Sequence, residues 1–245
     1  MEKEISIIIP SFKSFDLTYI CVKSFEKFRP KDVKNKYIVV ENSSETSYRK
    51  DIEEISDNVV WVNNDTDLRG SEANADAIVC GLKEADSRFV FFAHCDTCVV
   101  SEHFYDAMFD KISCNALVGT GFDNIRINAL HISGVFADTL YIPCKTLDYF
   151  PTYQDGAQIM DVGDVLTQYC REHELSYFCF PNSLNNSTLV IEEPYGDLEY
   201  VDRCLSEEVI FLHLGRGIPK TEGTYRKKGR IGIDGWKSFC MEKIK

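Results

Sequence analysis

The chain has 245 residues, of which 44% are hydrophobic and 27% charged, the usual mixture for a globular protein with a sizeable core. Its formal net charge of −12 argues against a nucleic-acid partner, because binding phosphates requires a basic face. No apolar run is long enough to span a bilayer, and the first one, 5–9, is too short for a signal peptide. We therefore expect a cytoplasmic protein whose ten cysteines are reduced thiols.

Short apolar runs alternate with helical patterns through the first half of the chain. Four runs have the length and composition of buried strands, at 5–9, 37–40, 59–62 and 89–93. Apolar residues with helical spacing lie at 17–28, 73–85 and 104–112. Strands followed by helices predict a parallel sheet whose faces are covered by helices.

The second half of the chain is less periodic. Strand-like pieces occur at 116–119, 140–142, 175–180 and 209–212, and helical spacing returns at 162–170. The segment 215–230 is rich in Gly, Lys and Arg and has no period. We predict one domain over residues 1–214, followed by an irregular basic extension over 215–245.

The motif His94-Cys95-Asp96 follows the fourth predicted strand. In open parallel sheets, ligands bind at the carboxyl ends of the strands. Side chains alternate along extended chain, so His94 and Asp96 should point the same way. Imidazole and carboxylate both suit Mn²⁺, and carboxylate also suits Mg²⁺, so the motif predicts a cation site for a diphosphate. The alternative is a strand end with a capping Asp and a surface His.

Cys95 and Cys98 form a C-x-x-C pair. A zinc ribbon needs a second pair at similar spacing, and the sequence has none. A thioredoxin-like redox site is a minor alternative, because the pair lacks the surrounding sequence of such sites.

Four segments together resemble family 2 glycosyltransferases of the GT-A fold, in order and spacing, over roughly residues 5 to 181. They are ISIIIPS at 5–11, YIVVENSSE at 37–45, GLKEADSRFVFFAHCD at 81–96 and REHELSYFCFP at 171–181. The resemblance implies an α/β GT-A fold (nucleotide-diphospho-sugar transferase, Rossmann-like), with a mainly parallel sheet flanked by helices.

The resemblance also implies a metal and nucleotide site. H-x-D replaces the family's D-x-D, with Asp96 as its last acid and His213 as a further, late metal ligand; a buried or surface His without a ligand role is the alternative for His213. Glu41 stands where the family has an Asp that contacts the nucleotide. The residues assigned to nucleotide binding are Pro10, Ser11, Glu41, Asp67, Arg69, Gly70 and Cys95. Asp67 has a second interpretation as a turn former.

Asp161 and Asp164 are the candidates for the catalytic base, in an imperfect match to the family's E-D pair. Such a base must reach the acceptor hydroxyl. We favour Asp161, which precedes the first apolar residue of the predicted helix. Its alternative role is an N-cap, and the alternative for Asp164 is a solvated acid of the first helical turn.

The implied function is that of an inverting, hexosyltransferase-like enzyme of polysaccharide biosynthesis. It would use Mn²⁺ or Mg²⁺ and a UDP-, GDP- or dTDP-linked sugar, and act on a hydroxyl of a glycan or lipid-linked acceptor. A non-catalytic relative that binds nucleotide or glycan is the alternative. The basic residues of the tail suit a lid over the diphosphate, a peripheral contact with the inner face of the membrane, or a solvated tail. These residues are Lys220, Arg226, Lys227, Lys228 and Arg230.

Overall fold

The computed structural model describes residues 3–119, 133–135, 138–180, 202–205, 209–214 and 233–245. The strands are β1 (Lys3–Ser11), β2 (Val33–Glu41), β3 (Val59–Asn63), β4 (Phe89–Ala93), β5 (Thr97–Val99), β6 (Leu117–Gly119), β7 (Ser133–Val135), β8 (Thr152–Gln154), β9 (Ala157–Met160), β10 (Tyr177–Cys179), β11 (Asp202–Leu205) and β12 (Val209–His213). The helices are α1 (Phe15–Lys27), α2 (Arg49–Glu53), α3 (Gly70–Glu84), α4 (Phe104–Ile112), α5 (Asp138–Cys144), α6 (Asp164–Glu172) and α7 (Ile233–Lys243).

The main sheet has seven strands in the order β10-β6-β7-β4-β1-β2-β3. Every pairing is parallel except those of β7, which runs antiparallel to β4 and β6. The chain therefore has the predicted α/β architecture, a mainly parallel sheet flanked by helices. Because β1, β2, β3 and β4 run the same way, the residues that follow them lie along one edge, which we call the carboxyl edge.

Alternation along β1 divides the core into two layers. Ile7 and Ile9 belong to a buried cluster with Phe25 of α1 and Phe104 of α4, whose rings lie 5.5 Å apart. Ile8 points to the opposite face, where it packs in a second cluster with residues of α3, α5 and α6. Both faces of the sheet are thus covered by helices.

A smaller antiparallel sheet, β11-β12-β5, lies beside α1. Helix α7 packs against α1 on this side, with Trp236 fully buried and Lys237 Nζ 2.8 Å from Asp16 Oδ2. Trp236 shares a buried cluster with Leu212 and Leu214, which flank the end of β12. Helix α7 therefore contributes Trp236 to the buried cluster that also contains residues of the smaller sheet.

Two predictions about local structure are wrong. The strand expected at 140–142 is part of α5, because Leu140 and Cys144 are both buried at helical spacing. The irregular conformation expected over 215–245 is wrong at 233–243, which form α7. The basic residues of the tail lie outside the described residues, and the division at 214/215 remains a prediction.

Within the described part of the chain, no helix is both long and apolar enough to cross a membrane.

Candidate metal centre and nucleotide site

His94, Asp96 and His213 meet at the carboxyl edge. His94 follows β4, Asp96 lies in the turn between β4 and β5, and His213 ends β12. Asp96 Oδ1 lies 3.2 Å from His213 Nε2 and 3.6 Å from His94 Nδ1. One ligand atom from each residue falls within 4.8 Å of the other two. The structure thus brings together the three residues that the sequence assigned to a metal.

Backbone pairing fixes this cluster. The antiparallel register of β12 and β5 sets His213 opposite Thr97, and the Leu214 N–H donates to the Asp96 carbonyl at 2.9 Å. The Thr97 hydroxyl donates to the His94 carbonyl at 2.7 Å. The pairing of β12 with β5 therefore positions His213 beside the turn that carries His94 and Asp96.

The donor set suits a divalent cation. Asp96 is 2% exposed; burial raises the pKa of its carboxyl, but the His213 and His94 imidazoles outweigh that effect and hold the pKa well below its ordinary value. Neither Asp96 carboxylate oxygen has a hydrogen bond of good geometry within the described chain. Ligands about 2.0–2.2 Å from one ion lie roughly 3 to 4 Å apart, which the cluster allows.

His94 is the most exposed residue of the cluster. Its side chain is 23% exposed, whereas that of His213 is fully buried. The two imidazole rings meet edge to face, with centroids 5.2 Å apart. His94 would therefore form the solvent-facing part of a site that held an ion.

Glu41 lies at the same edge but faces inward. Its side chain is fully buried, and its carboxylate accepts hydrogen bonds from the Ser43 hydroxyl at 2.5 Å, the Lys13 N–H at 3.1 Å and the Tyr48 hydroxyl. Ser11, also buried, lies 3.2 Å from the Tyr48 hydroxyl through its own Oγ. Glu41 thus bonds to its own loops in this structure, and its contact with a nucleotide stays a prediction.

The other residues assigned to the nucleotide differ in their exposure to solvent. Pro10 is buried within β1. Asp67 and Arg69 are exposed in the loop that leads from β3 to α3, where Arg69 Nη1 donates to the Leu68 carbonyl at 2.9 Å. Gly70 opens α3 with a φ of 58°, a left-handed conformation that favours glycine. The exposed cation and the free amides of this helix end suit an anion.

Cys95 is partly buried in the turn between His94 and Asp96. Its side chain packs against the buried clusters around α1, and burial raises the pKa of its thiol well above its ordinary value, with Asp96 adding to the effect. The nucleotide contact of this side chain stays a prediction. A protonated thiol is a poor nucleophile, so the redox alternative is not favoured.

Asp161 and Asp164 lie at the start of α6. The Asp164 carboxylate accepts the Asp161 N–H at 2.9 Å and is 7% exposed, whereas Asp161 is partly exposed and its Oδ1 accepts the Val162 N–H at 2.8 Å. The N-cap position belongs to Gly163, so the N-cap role considered for Asp161 is wrong. Val162, between the two acids, belongs to the same large buried cluster as Phe92 of β4.

Comparisons with known proteins are informative at the level of structure. No protein-family model and no curated protein sequence matches the chain. Its structure is similar to that of a mannosyltransferase from Pyrobaculum calidifontis in complex with GDP-Man and Mn²⁺, with a TM-score of 0.55, 13% identity, and coverage of 72% of this chain and 54% of that chain. This chain thus spans about half the length of that enzyme.

Two further similarities are weaker. One is to S. aureus TarS 1–349 in complex with UDP, with a TM-score of 0.49, 14% identity, and coverage of 80% of this chain and 69% of that chain. The other is to 4-diphosphocytidyl-2C-methyl-D-erythritol synthase from Anaerococcus prevotii, with a TM-score of 0.49, 16% identity, and coverage of 73% and 86%. The fold assignment rests on the mannosyltransferase: the chain has the GT-A type of α/β fold.

Proposed function

We propose that this chain is a glycosyltransferase that uses a nucleotide-sugar donor and a divalent cation, Mn²⁺ or Mg²⁺. The observation that carries the proposal is the cluster of His94, Asp96 and His213 at the carboxyl edge of a GT-A type sheet. The similar mannosyltransferase is in complex with GDP-Man and Mn²⁺, the two kinds of ligand that this edge would have to hold.

The chain's own residues suit the binding of a diphosphate. Asp96 would give the hard oxygen ligand, and the two imidazoles would complete the protein's share of the coordination. When bound, the cation supplies positive charge that stabilises the diphosphate leaving group. Arg69 and the first amides of α3 would place a further cation and hydrogen-bond donors beside the phosphates.

Asp161 is the proposed general base. Its carboxylate would take the proton from the acceptor hydroxyl while that oxygen forms its bond to the sugar and the bond from the sugar to the diphosphate breaks. A single displacement of this kind inverts the anomeric centre. Asp164 would hold Asp161 in place, because its buried carboxylate accepts the Asp161 N–H.

The proposed substrates are those expected from the resemblance to family 2 glycosyltransferases. The donor would carry a hexose on UDP, GDP or dTDP, and the acceptor would be a glycan or a lipid-linked sugar of polysaccharide biosynthesis. We place the reaction in the cytoplasm, where the basic residues between 220 and 230 would meet the inner face of the membrane.

A donor-hydrolysis and transfer assay tests this function. The protein is incubated with Mn²⁺ and UDP-, GDP- or dTDP-hexoses, with and without simple glycoside acceptors, and the released nucleoside diphosphate is measured. We expect release from at least one donor, and EDTA should stop it. Binding without release would identify a non-catalytic relative, and the absence of both would overturn the proposal.

A further inference from the structure

The buried carboxylate of Glu41 connects two loops at the carboxyl edge. Loop 12–14 joins β1 to α1, and loop 42–48 joins β2 to α2. Glu41 accepts one donor from the first loop, the Lys13 N–H, and two from the second, the hydroxyls of Ser43 and Tyr48. The two hydroxyl donors are buried, and a buried donor left without its partner costs more free energy than the bond itself contributes.

Loop 12–14 depends on this carboxylate for its shape. Lys13 has a φ of 51°, a left-handed conformation that side chains other than glycine rarely adopt. Its N–H donates to Glu41 at 3.1 Å, and the Ser14 hydroxyl donates to the Phe12 carbonyl at 2.6 Å. The turn leaves the Phe12 ring 41% exposed at the edge, an aromatic face on which a nucleobase can stack.

Tyr48 carries the same constraint to loop 42–48. Its ring packs edge to face on Trp61 of β3, with centroids 5.3 Å apart, and lies 5.7 Å from the Phe15 ring of α1. Burial first, and then the hydrogen bond to Glu41, raise the pKa of the Tyr48 hydroxyl, so the group keeps its proton and donates. Tyr48 is thus the only side chain that the described structure shows bonded to both Glu41 and Ser11.

We propose that Glu41 is a positioning residue that holds loops 12–14 and 42–48 in the shape that receives the nucleotide, and that it acts through Tyr48 rather than by touching the nucleotide. The inference rests on the proposed function, since it concerns the nucleotide site. On this proposal the loop surfaces recognise the base, and the Glu41 carboxylate makes no direct contact with it.

Tyr48→Phe separates the two roles of Glu41. The substitution leaves the carboxylate in place and removes one of its donors. A carboxylate that contacts the nucleotide would be unaffected or made more available, so affinity would hold or improve. A positioning carboxylate loses its link to loop 42–48, and we expect roughly 5- to 10-fold weaker binding of UDP, GDP and dTDP alike with Mn²⁺ present.

Glu41→Gln and the double variant complete the test by calorimetry. We expect Glu41→Gln to weaken all three nucleotides to a similar extent, and the double variant to be little worse than either single one, because the two side chains act as a unit. Tyr19→Phe, which removes a hydroxyl from neighbouring α1, is the matched control and should leave affinity unchanged. Loss confined to one nucleotide in Glu41→Gln, with Tyr48→Phe unaffected, overturns the inference.

Amide hydrogen exchange of the free protein keeps this test separate from the proposed function. Faster exchange in both 12–14 and 42–48 is expected for Glu41→Gln and Tyr48→Phe, whether or not the protein binds a nucleotide. Unchanged exchange in both loops would overturn the positioning role. Failure of the wild-type protein to bind any nucleotide would instead count against the proposed function. If either variant does not fold, Ser43→Ala replaces it in the exchange experiment, because it removes one hydroxyl donor and leaves the Glu41 carboxylate in place.

Discussion

Two neighbouring acids at the start of α6 are expected to respond differently to substitution. Asp161→Asn should lower the rate of sugar transfer by about 10²–10⁴-fold with donor affinity retained, because an amide cannot take the acceptor proton. Asp164→Ala should instead lower stability by on the order of 1–2 kcal/mol, because it leaves the Asp161 N–H without its acceptor.

Transfer rate, donor affinity and melting temperature of both variants check this division of roles. Glu172→Gln, at the far end of the same helix, is the control for a lost carboxylate. If Asp161→Asn transfers sugar at the wild-type rate while the donor still binds, the base lies elsewhere.

At the scale of residues, the sequence could locate side chains that lie near each other along the chain. His94 and Asp96 do meet, but through the turn between β4 and β5 and not through the alternation of an extended segment that the sequence suggested. Glu41 was correctly placed at the end of a strand, but its burial depends on Tyr48 and Lys13, which reach it from other loops. Nothing in the local pattern signals such a contact, and so its inward orientation could not be predicted.

At the scale of elements, the packing of α3 on the sheet depends on the small size of Gly81. A Cβ at this position would clash with Cγ2 of Ile8, which is fully buried at the centre of β1. We expect Gly81→Ala to destabilise the protein by about 1–3 kcal/mol despite the better helix propensity of alanine. Urea unfolding measures this change, and Lys83→Ala, on the exposed side of α3, is the control. A stabilised variant would show that α3 can move away from β1 at little cost.

Two elements that were not predicted from the sequence differ in how clearly the local sequence indicates them. The hairpin β8–β9 turns at Asp155-Gly156, both with positive φ (53° and 81°), and this dipeptide is a recognised hairpin signal. Residues 140–142 form one turn of α5 although their composition suits a strand, because tertiary packing of Leu140 decides the outcome. A run as short as 140–142 is ambiguous between helix and strand from its composition alone.

At the scale of the whole molecule, helix α7 supports the sheet that carries His213. Trp236 is 1% exposed and belongs to the same buried cluster as Leu212 and Leu214. Trp236→Ala should therefore lower stability by about 3–5 kcal/mol, and it should also weaken metal-linked nucleotide binding by loosening the end of β12. Thermal unfolding and calorimetry measure the two effects. Met241→Ala, on the exposed side of α7, should show neither, and an unchanged affinity in Trp236→Ala would show that β12 is independent of α7.

The overall architecture was predictable because the strand-and-helix alternation is strong in residues 5–112, where β1 to β4 and α1, α3 and α4 all formed as expected. The antiparallel strand β7 and the small sheet were not, since each depends on pairing between segments far apart in sequence. His213 could be assigned only by resemblance, because the register of β12 on β5 that brings it to Asp96 leaves no local trace.

Calorimetric titration with UDP, GDP and dTDP, with Mn²⁺ and with EDTA, tests the central claim most directly. At least one nucleotide should bind more tightly by tenfold or more with Mn²⁺, on the order of the 1.4 kcal/mol that a tenfold change represents. Asp96→Asn should abolish this gain, His94→Ala should reduce it less, and Asp106→Asn, an exposed acid of α4, should keep it. Equal affinities with Mn²⁺ and EDTA for every nucleotide, or a gain that survives Asp96→Asn, would contradict the account.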